Sequence, residues 1–190
     1  MRVFVAGASG VIGVRLVPLL VAAGHEVAGM TRSPGKAGRL RDLGAEPVVC
    51  DVFDADALLD AVVAFEPEAV VNELTDLPDR PATTNDANAR MRREGTRNLL
   101  AAAKAAAASR FVAQSVAWPL AGDAGAAVGE LERLVLAAGG VVLRYGRLYG
   151  PDTYYEEGKP PPPRVHVDDA ARRTLPALEA DSGIVEVTDD

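Results

Sequence analysis

Short apolar runs alternate with longer amphipathic stretches along the whole chain. The runs fall at 2–6 (RVFVA), 26–30 (EVAGM), 46–50 (EPVVC), 68–72 (EAVVN), 110–114 (RFVAQ), 140–144 (GVVLR) and 184–188 (IVEVT). They are rich in Val and nearly continuous in apolar character. That marks strands buried on both faces, and so a parallel sheet covered by helices. Between them, helical spacing runs near 11–23, 35–43, 54–64, 85–108, 125–138 and 168–180. The alternation predicts a doubly wound parallel α/β fold, a single Rossmann-like domain over 1–190 with about seven strands. Local punctuation agrees. Gly24 ends the first helix, Asp54 or Asp56 caps the third, and Asp168 caps the last, with a kink at Pro176. Residues 150–165 break the pattern. Gly158 and the run Pro160–Pro163 exclude a regular helix and predict a stiff polyproline segment.

Charge and cysteine content narrow the function classes. A net charge of −7 argues against a nucleic-acid surface. No apolar run approaches the length of a membrane span, and the N-terminus opens directly on a strand pattern, with no signal peptide in view. Cys50 is the sole cysteine, so no internal disulfide forms. A cytoplasmic location is expected. Abundant Ala, Gly and Arg fit GC-rich bacterial coding. Two distant histidines and one cysteine carry no zinc signature.

The first strand runs straight into Gly7-Ala-Ser-Gly10-Val-Ile-Gly13 and then a helix. In a G-x-x-G-x-x-G turn the first glycine permits the tight bend, the second lets backbone amides approach a pyrophosphate, and the third lets helix and strand pack closely. Ser9, Val11 and Ile12 complete the loop, whose helix N-terminus favours an anion. The end of the second strand selects the ribose. An NAD site usually carries Asp or Glu there, whereas this chain has Arg32, Ser33 and Lys36. A guanidinium suits a phosphate monoester, so NADP(H) is favoured over NAD(H). Asp51 and Val52, after the third strand, are placed for the adenine edge; Asp51 is equally suited to open a helix.

Taken in order, VFVAGASGVIG at 3–13, TRSPGK at 31–36, CDVFD at 50–54, GTRNLLAAA at 95–103, RFVAQSVAW at 110–118, VVLRYGRLYGP at 141–151 and RVHVDDAAR at 164–172 resemble the extended and atypical short-chain dehydrogenase/reductases, the NAD-dependent epimerase/dehydratase group. The resemblance covers nearly the whole chain. It implies strand order 3-2-1-4-5-6-7 and a substrate over the C-terminal sheet edge. It also implies a cofactor passing the backbone at Leu74 and Thr75, and a catalytic-site Ser at Ser115. Related enzymes often dimerise through the helices flanking strand five, so a homodimer through 85–108 and 125–138 is expected. Two departures stand out. The helix that should carry Tyr-x-x-x-Lys, within GDAGAAVGELERLVLAAGG, has neither residue, and the substrate-binding segment between the YGP and HVDD motifs is much reduced.

A Tyr-x-x-x-Lys spacing does occur at Tyr155 and Lys159, but in a proline-bounded loop, where no helix face fixes the pair. Its place after strand six leaves Tyr155 a candidate acid on its own. Trp118 is placed to line a pocket or cover core, and His166 to act as an acid/base, to be buried or to cap a helix. Glu73, Asp76 and Asp79 read as a solvated acidic loop. Three functions fit these features: an NADP(H)-dependent oxidoreductase or epimerase-like enzyme acting on a small molecule, a non-redox enzyme such as a cyclase, dehydratase or isomerase on the same scaffold, or a non-catalytic nucleotide-binding protein.

Overall fold

The computed structural model describes residues 1–77 and 86–189. Its main sheet uses β1 (Arg2–Ala6), β2 (Glu26–Thr31), β3 (Glu46–Val49), β4 (Ala69–Asn72), β5 (Arg110–Val116), β6 (Val141–Tyr145) and β9 (Gly183–Val187). They form one seven-stranded sheet in the order β3-β2-β1-β4-β5-β6-β9, with every pairing parallel. This is the expected doubly wound order.

Period-two alternation divides the core. Val3 and Val5 face α1 (Gly13–Ala22) and α7 (Val167–Thr174), packing on Leu16, Val17, Leu20, Ala170 and Ala171. Phe4 and Ala6 face α3 (Ala55–Phe65), α5 (Thr96–Ala105) and α6 (Gly122–Ala137), meeting Leu58, Val62, Leu99, Leu131 and Val135. A shorter helix, α2 (Ala37–Asp42), buries Leu40. Fully buried Leu and Val side chains contribute about 1.5–3 kcal/mol each, so both layers hold the strand ends firmly. Among the described residues no helix is long and apolar enough to cross a membrane.

Four local features differ from the sequence reading. The stretch read as one helix over 85–108 is described from 86, as α4 (Asp86–Arg90), a π-helical turn at Met91–Gly95 and α5. Helix α7 is capped by His166, whose Nδ1 accepts from the Asp168 amide at 3.3 Å. Asp168 is free to pair with Arg15 instead, at 2.8 Å. The segment after β6 is not structureless. β7 (Arg147–Tyr149) pairs in parallel with β8 (Arg164–His166), pinning both ends of the loop. The prolines within it bend rather than form one extended rod, because Arg147 donates to the carbonyls of Pro161 and Pro162 and Arg164 to that of Pro160.

Candidate functional site

The glycine loop leaves β1 and enters α1 at the C-terminal edge of the sheet. Gly7 sits at φ +84°, and a Cβ there would lie 2.7 Å from the Glu73 backbone. A Cβ on Gly13 would lie 2.4 Å from the Gly7 carbonyl oxygen. Both contacts are with backbone, so neither can relax cheaply. The turn is closed by the Gly10 amide donating to Gly7 O at 2.9 Å and the Val14 amide to Gly10 O at 3.0 Å. Among the described residues no protein acceptor takes the Ser9, Val11 or Ile12 amides. Free donors at a helix N-terminus, in a cradle that a Cβ would fill, fit a pyrophosphate. Ser9 Oγ, 2.9 Å from Thr31 Oγ1, ties the loop to the end of β2.

At that strand end Arg32 is exposed and pairs with Asp76, at 3.2 and 3.3 Å. Asp76 follows β4, so the loops after β2 and β4 meet at this pair. An exposed pair of this kind contributes only about 0–1 kcal/mol, so a phosphate monoester could displace the carboxylate. Ser33 is half-buried, with its amide donating to Thr31 Oγ1. Asp51 accepts from the Phe53 amide at 3.0 Å, forming a helix-entry turn, while Asp54 is the N-cap of α3. Val52 is buried against the place where a Gly95 side chain would stand. Leu74 O accepts from Gln114, which fixes the backbone there, and Thr75 is exposed.

Ser115 is buried at the end of β5, where its hydroxyl donates to Glu132 Oε1 at 2.6 Å. Glu132 lies on α6, and Arg144 on β6 clasps both its oxygens at 2.9 and 2.6 Å. Burial works to raise the Glu132 carboxyl, but the bonds from Arg144 and Ser115 outweigh it and hold the pKa below the ordinary value. Glu132 is therefore an ionised anchor for the Ser115 hydroxyl. A cavity of about 320 Å³ opens beside them, lined by Trp118, Leu120, Val128, Glu132 and Arg144 among others. From α6 it takes Gly125, Val128, Gly129 and Glu132, which share one helix face. That face carries two glycines, a valine and one acid, with neither Tyr nor Lys. Trp118 is thus a pocket residue, with Arg147 stacked 4.9 Å from its ring centre.

Sequence reasoning missed Glu132, and it misplaced Glu73. Glu73 is 6% exposed rather than solvated, and desolvation raises its pKa to about 8. Tyr145 Oη donates to Glu73 Oε1 at 3.0 Å and lies 2.6 Å from Thr174 Oγ1, which also reaches Ala170 O. Glu73 Oε2 has no hydrogen-bond partner. Glu73 is thus enclosed beside the glycine loop, its backbone against Gly7. Asp79, the third acid of that group, lies outside the described residues. No cluster of metal-binding side chains exists among the described residues.

Tyr155 stands on the loop between β7 and β8, 40% exposed, and forms a backbone bridge to Tyr149. Lys159 does not pair with it; its Nζ sits 5.2 Å over the Tyr149 ring. Arg15 clips the loop to α1 through Pro151 O at 2.9 Å and Asp152 at 3.0 Å. The structure thus brings Ser115, Glu132, Arg144 and Trp118 together and leaves Tyr155 on the outer wall.

Comparison with known proteins agrees with this geometry. The family described as NAD(P)H-binding matches residues 7–138, from the glycine loop to the end of α6. A 3-diazoavenalumate denitrifying reductase from a Streptomyces species is 41% identical over 236 aligned positions, covering 100% of this chain and 76% of the relative. Among solved structures, the UDP-glucose 4-epimerase of Thermus thermophilus in complex with NAD superposes with TM-score 0.82 at 21% identity, covering 99% of this chain and 78% of the other. The Thermotoga maritima UDP-glucose 4-epimerase with UDP-glucose gives TM-score 0.82 at 19% identity, with 99% and 77% covered. On fold, phosphate loop and relatives together, the chain belongs to the NAD(P)H-binding family of Rossmann proteins, as a reductase-like enzyme.

Proposed function

We propose that the protein is an NADP(H)-dependent reductase whose small-molecule acceptor needs no proton from the enzyme. The observation that carries this reading is the face of α6 opposite Ser115, which holds Gly125, Val128, Gly129 and Glu132 where a Tyr/Lys pair would stand. Without a general acid, reduction of a carbonyl forgoes roughly 10²–10⁴-fold in rate. An acceptor that starts with a positive charge, such as an aromatic diazonium group, is neutralised by hydride alone. When bound, the reduced nicotinamide supplies that hydride. Overall a carbon–nitrogen bond gives way to a carbon–hydrogen bond, dinitrogen leaves, and NADPH provides both electrons. The name of the Streptomyces relative, a denitrifying reductase of a diazo acid, describes an acceptor of this kind.

The chain's own residues divide the work. Gly7, Ser9, Gly10, Val11, Ile12 and Gly13 receive the pyrophosphate, Arg32 and Ser33 the 2′-phosphate, Asp51 and Val52 the adenine, and Leu74 and Thr75 flank the cofactor's path. Ser115, held by Glu132, orients the acceptor. A cytoplasmic location and a homodimer through α5 and α6 accompany this reading, and sedimentation showing only monomer at micromolar concentration would rule out the dimer.

Two experiments test it. NADPH should bind at least roughly tenfold more tightly than NADH, and Arg32→Ala should erase that difference; equal affinities in the unaltered protein would refute the NADP(H) preference. Loss of reduced-nicotinamide absorbance should then be followed with an aryl diazonium salt and with aryl aldehydes, against controls without protein. Faster turnover of the aldehydes would overturn the acceptor class. Tyr155→Phe should change diazonium turnover by less than about twofold, whereas a fall of ~10²-fold or more would identify Tyr155 as the acid.

A further inference from the structure

Arg15 lies on the first turn of α1, just past Gly13, with its side chain only 17% exposed. Its guanidinium makes four hydrogen bonds, to three different segments. Nη1 donates to Val11 O at 2.8 Å, inside the glycine loop. Nε donates to Asp168 Oδ1 at 2.8 Å, on the first turn of α7. Nη2 donates to Pro151 O at 2.9 Å and to Asp152 Oδ2 at 3.0 Å, on the loop between β7 and β8. The bond to Val11 fills a gap in the helical ladder. The Val14 amide goes to Gly10 O and the Arg15 amide to Ile12 O, so among the described residues no backbone donor reaches Val11 O. The guanidinium takes that carbonyl instead.

The Val11 carbonyl and the Ile12 amide belong to one planar trans peptide, so they point in opposite directions. Fixing one fixes the other. The Ile12 amide is among the loop donors that no protein acceptor takes, and so is open to an anion. We propose that Arg15 is a positioning residue for the nucleotide: it holds the Val11 carbonyl and thereby aims the Ile12 amide at the pyrophosphate. Asp168 and Asp152 hold Arg15 in turn, so α7 and the loop between β7 and β8 help to set nucleotide affinity. Charge attraction is not what this cluster supplies. Two carboxylates face one guanidinium, and their net charge opposes an anion. Orientation is its contribution. The inference rests on the glycine loop receiving the pyrophosphate, and is independent of the 2′-phosphate preference and of the acceptor class.

Calorimetric titration with NADPH and with NADH tests it. Both carry the same pyrophosphate, so Arg15→Met should weaken both by a similar factor, about tenfold. Arg15→Lys keeps the charge but not the planar fork, and should weaken both as well. Asp168→Ala gives the discriminating sign. It removes a negative charge from beside the glycine loop, and charge alone predicts tighter binding. Loss of the hold on Arg15 predicts binding about threefold weaker. In the Arg15→Met background that hold is already gone, so there Asp168→Ala should leave affinity unchanged or raise it. Thermal melts should show every variant folded at the titration temperature. Unaltered affinity in Arg15→Met, tighter binding from Asp168→Ala alone, or an equal loss from Asp168→Ala in both backgrounds would each overturn the inference. Equal affinity of the unaltered protein for NADPH and NADH, with both weakened by Arg15→Met, would refute the NADP(H) preference and leave this inference standing. Binding of neither nucleotide by the unaltered protein would overturn both.

Discussion

Gly13→Ala should lower nucleotide affinity by roughly a hundredfold, a change of about 3 kcal/mol. The added Cβ would sit 2.4 Å from Gly7 O and 2.6 Å from the Ala8 backbone. No side chain can swing away, so the start of α1 must withdraw from the loop. The amides of Ser9, Val11 and Ile12 would then no longer converge on one anion, and the helix end would lose its approach to the pyrophosphate. Gly38→Ala is the control, since a Cβ there meets nothing within 4 Å. Within α2 it should stabilise the fold by about 0.5–1 kcal/mol and leave nucleotide binding untouched. Fluorescence titration with NADPH and thermal melting of both variants measure this. Gly13→Ala binding at unaltered strength would mean that the loop does not hold the cofactor.

Glu73→Gln should remove a pH dependence of stability on the order of 5 kcal/mol. In the folded protein the Glu73 carboxyl keeps its proton up to about pH 8, against an ordinary value of 4.5. Between those limits the unfolded chain binds fewer protons than the folded one, so stability falls as pH rises through the window. Below about pH 4.5 the contribution is flat, and above pH 8 the full cost of a buried carboxylate is present. A Gln amide is neutral throughout, and its Oε1 can accept from Tyr145 Oη as Glu73 Oε1 does. Urea midpoints of the two proteins should therefore converge near pH 5 and diverge toward pH 9, with the variant the more stable. Parallel profiles would show that Glu73 is ionised at neutral pH.

Most of the sheet was legible because burial on both faces leaves a local mark. Continuous Val-rich runs predicted all seven strands to within about two residues, and the glycine loop carried its geometry in its spacing. The absence of Tyr and Lys from α6 was equally plain. The loop after β6 was harder, because β7 and β8 are three residues each and pair across the whole proline segment. Strands that short have no period to read. Asp168 lost the cap expected of it for a related reason: Arg15, on α1, draws it away and His166 makes the cap.

The candidate site divides along the same line. Order of elements, parallel topology and the phosphate loop follow from periodicity and backbone sterics, which act over a few residues and survive in the one-dimensional pattern. Electrostatic character does not. Glu73 and Asp76 look alike in sequence, yet one is sealed under the glycine loop with a pKa near 8 and the other meets Arg32 in solvent. Glu132 becomes an ionised anchor only because Ser115 and Arg144 arrive from two adjacent strands. Desolvation and charge pairing depend on which atoms converge in space, and only the tertiary structure decided that.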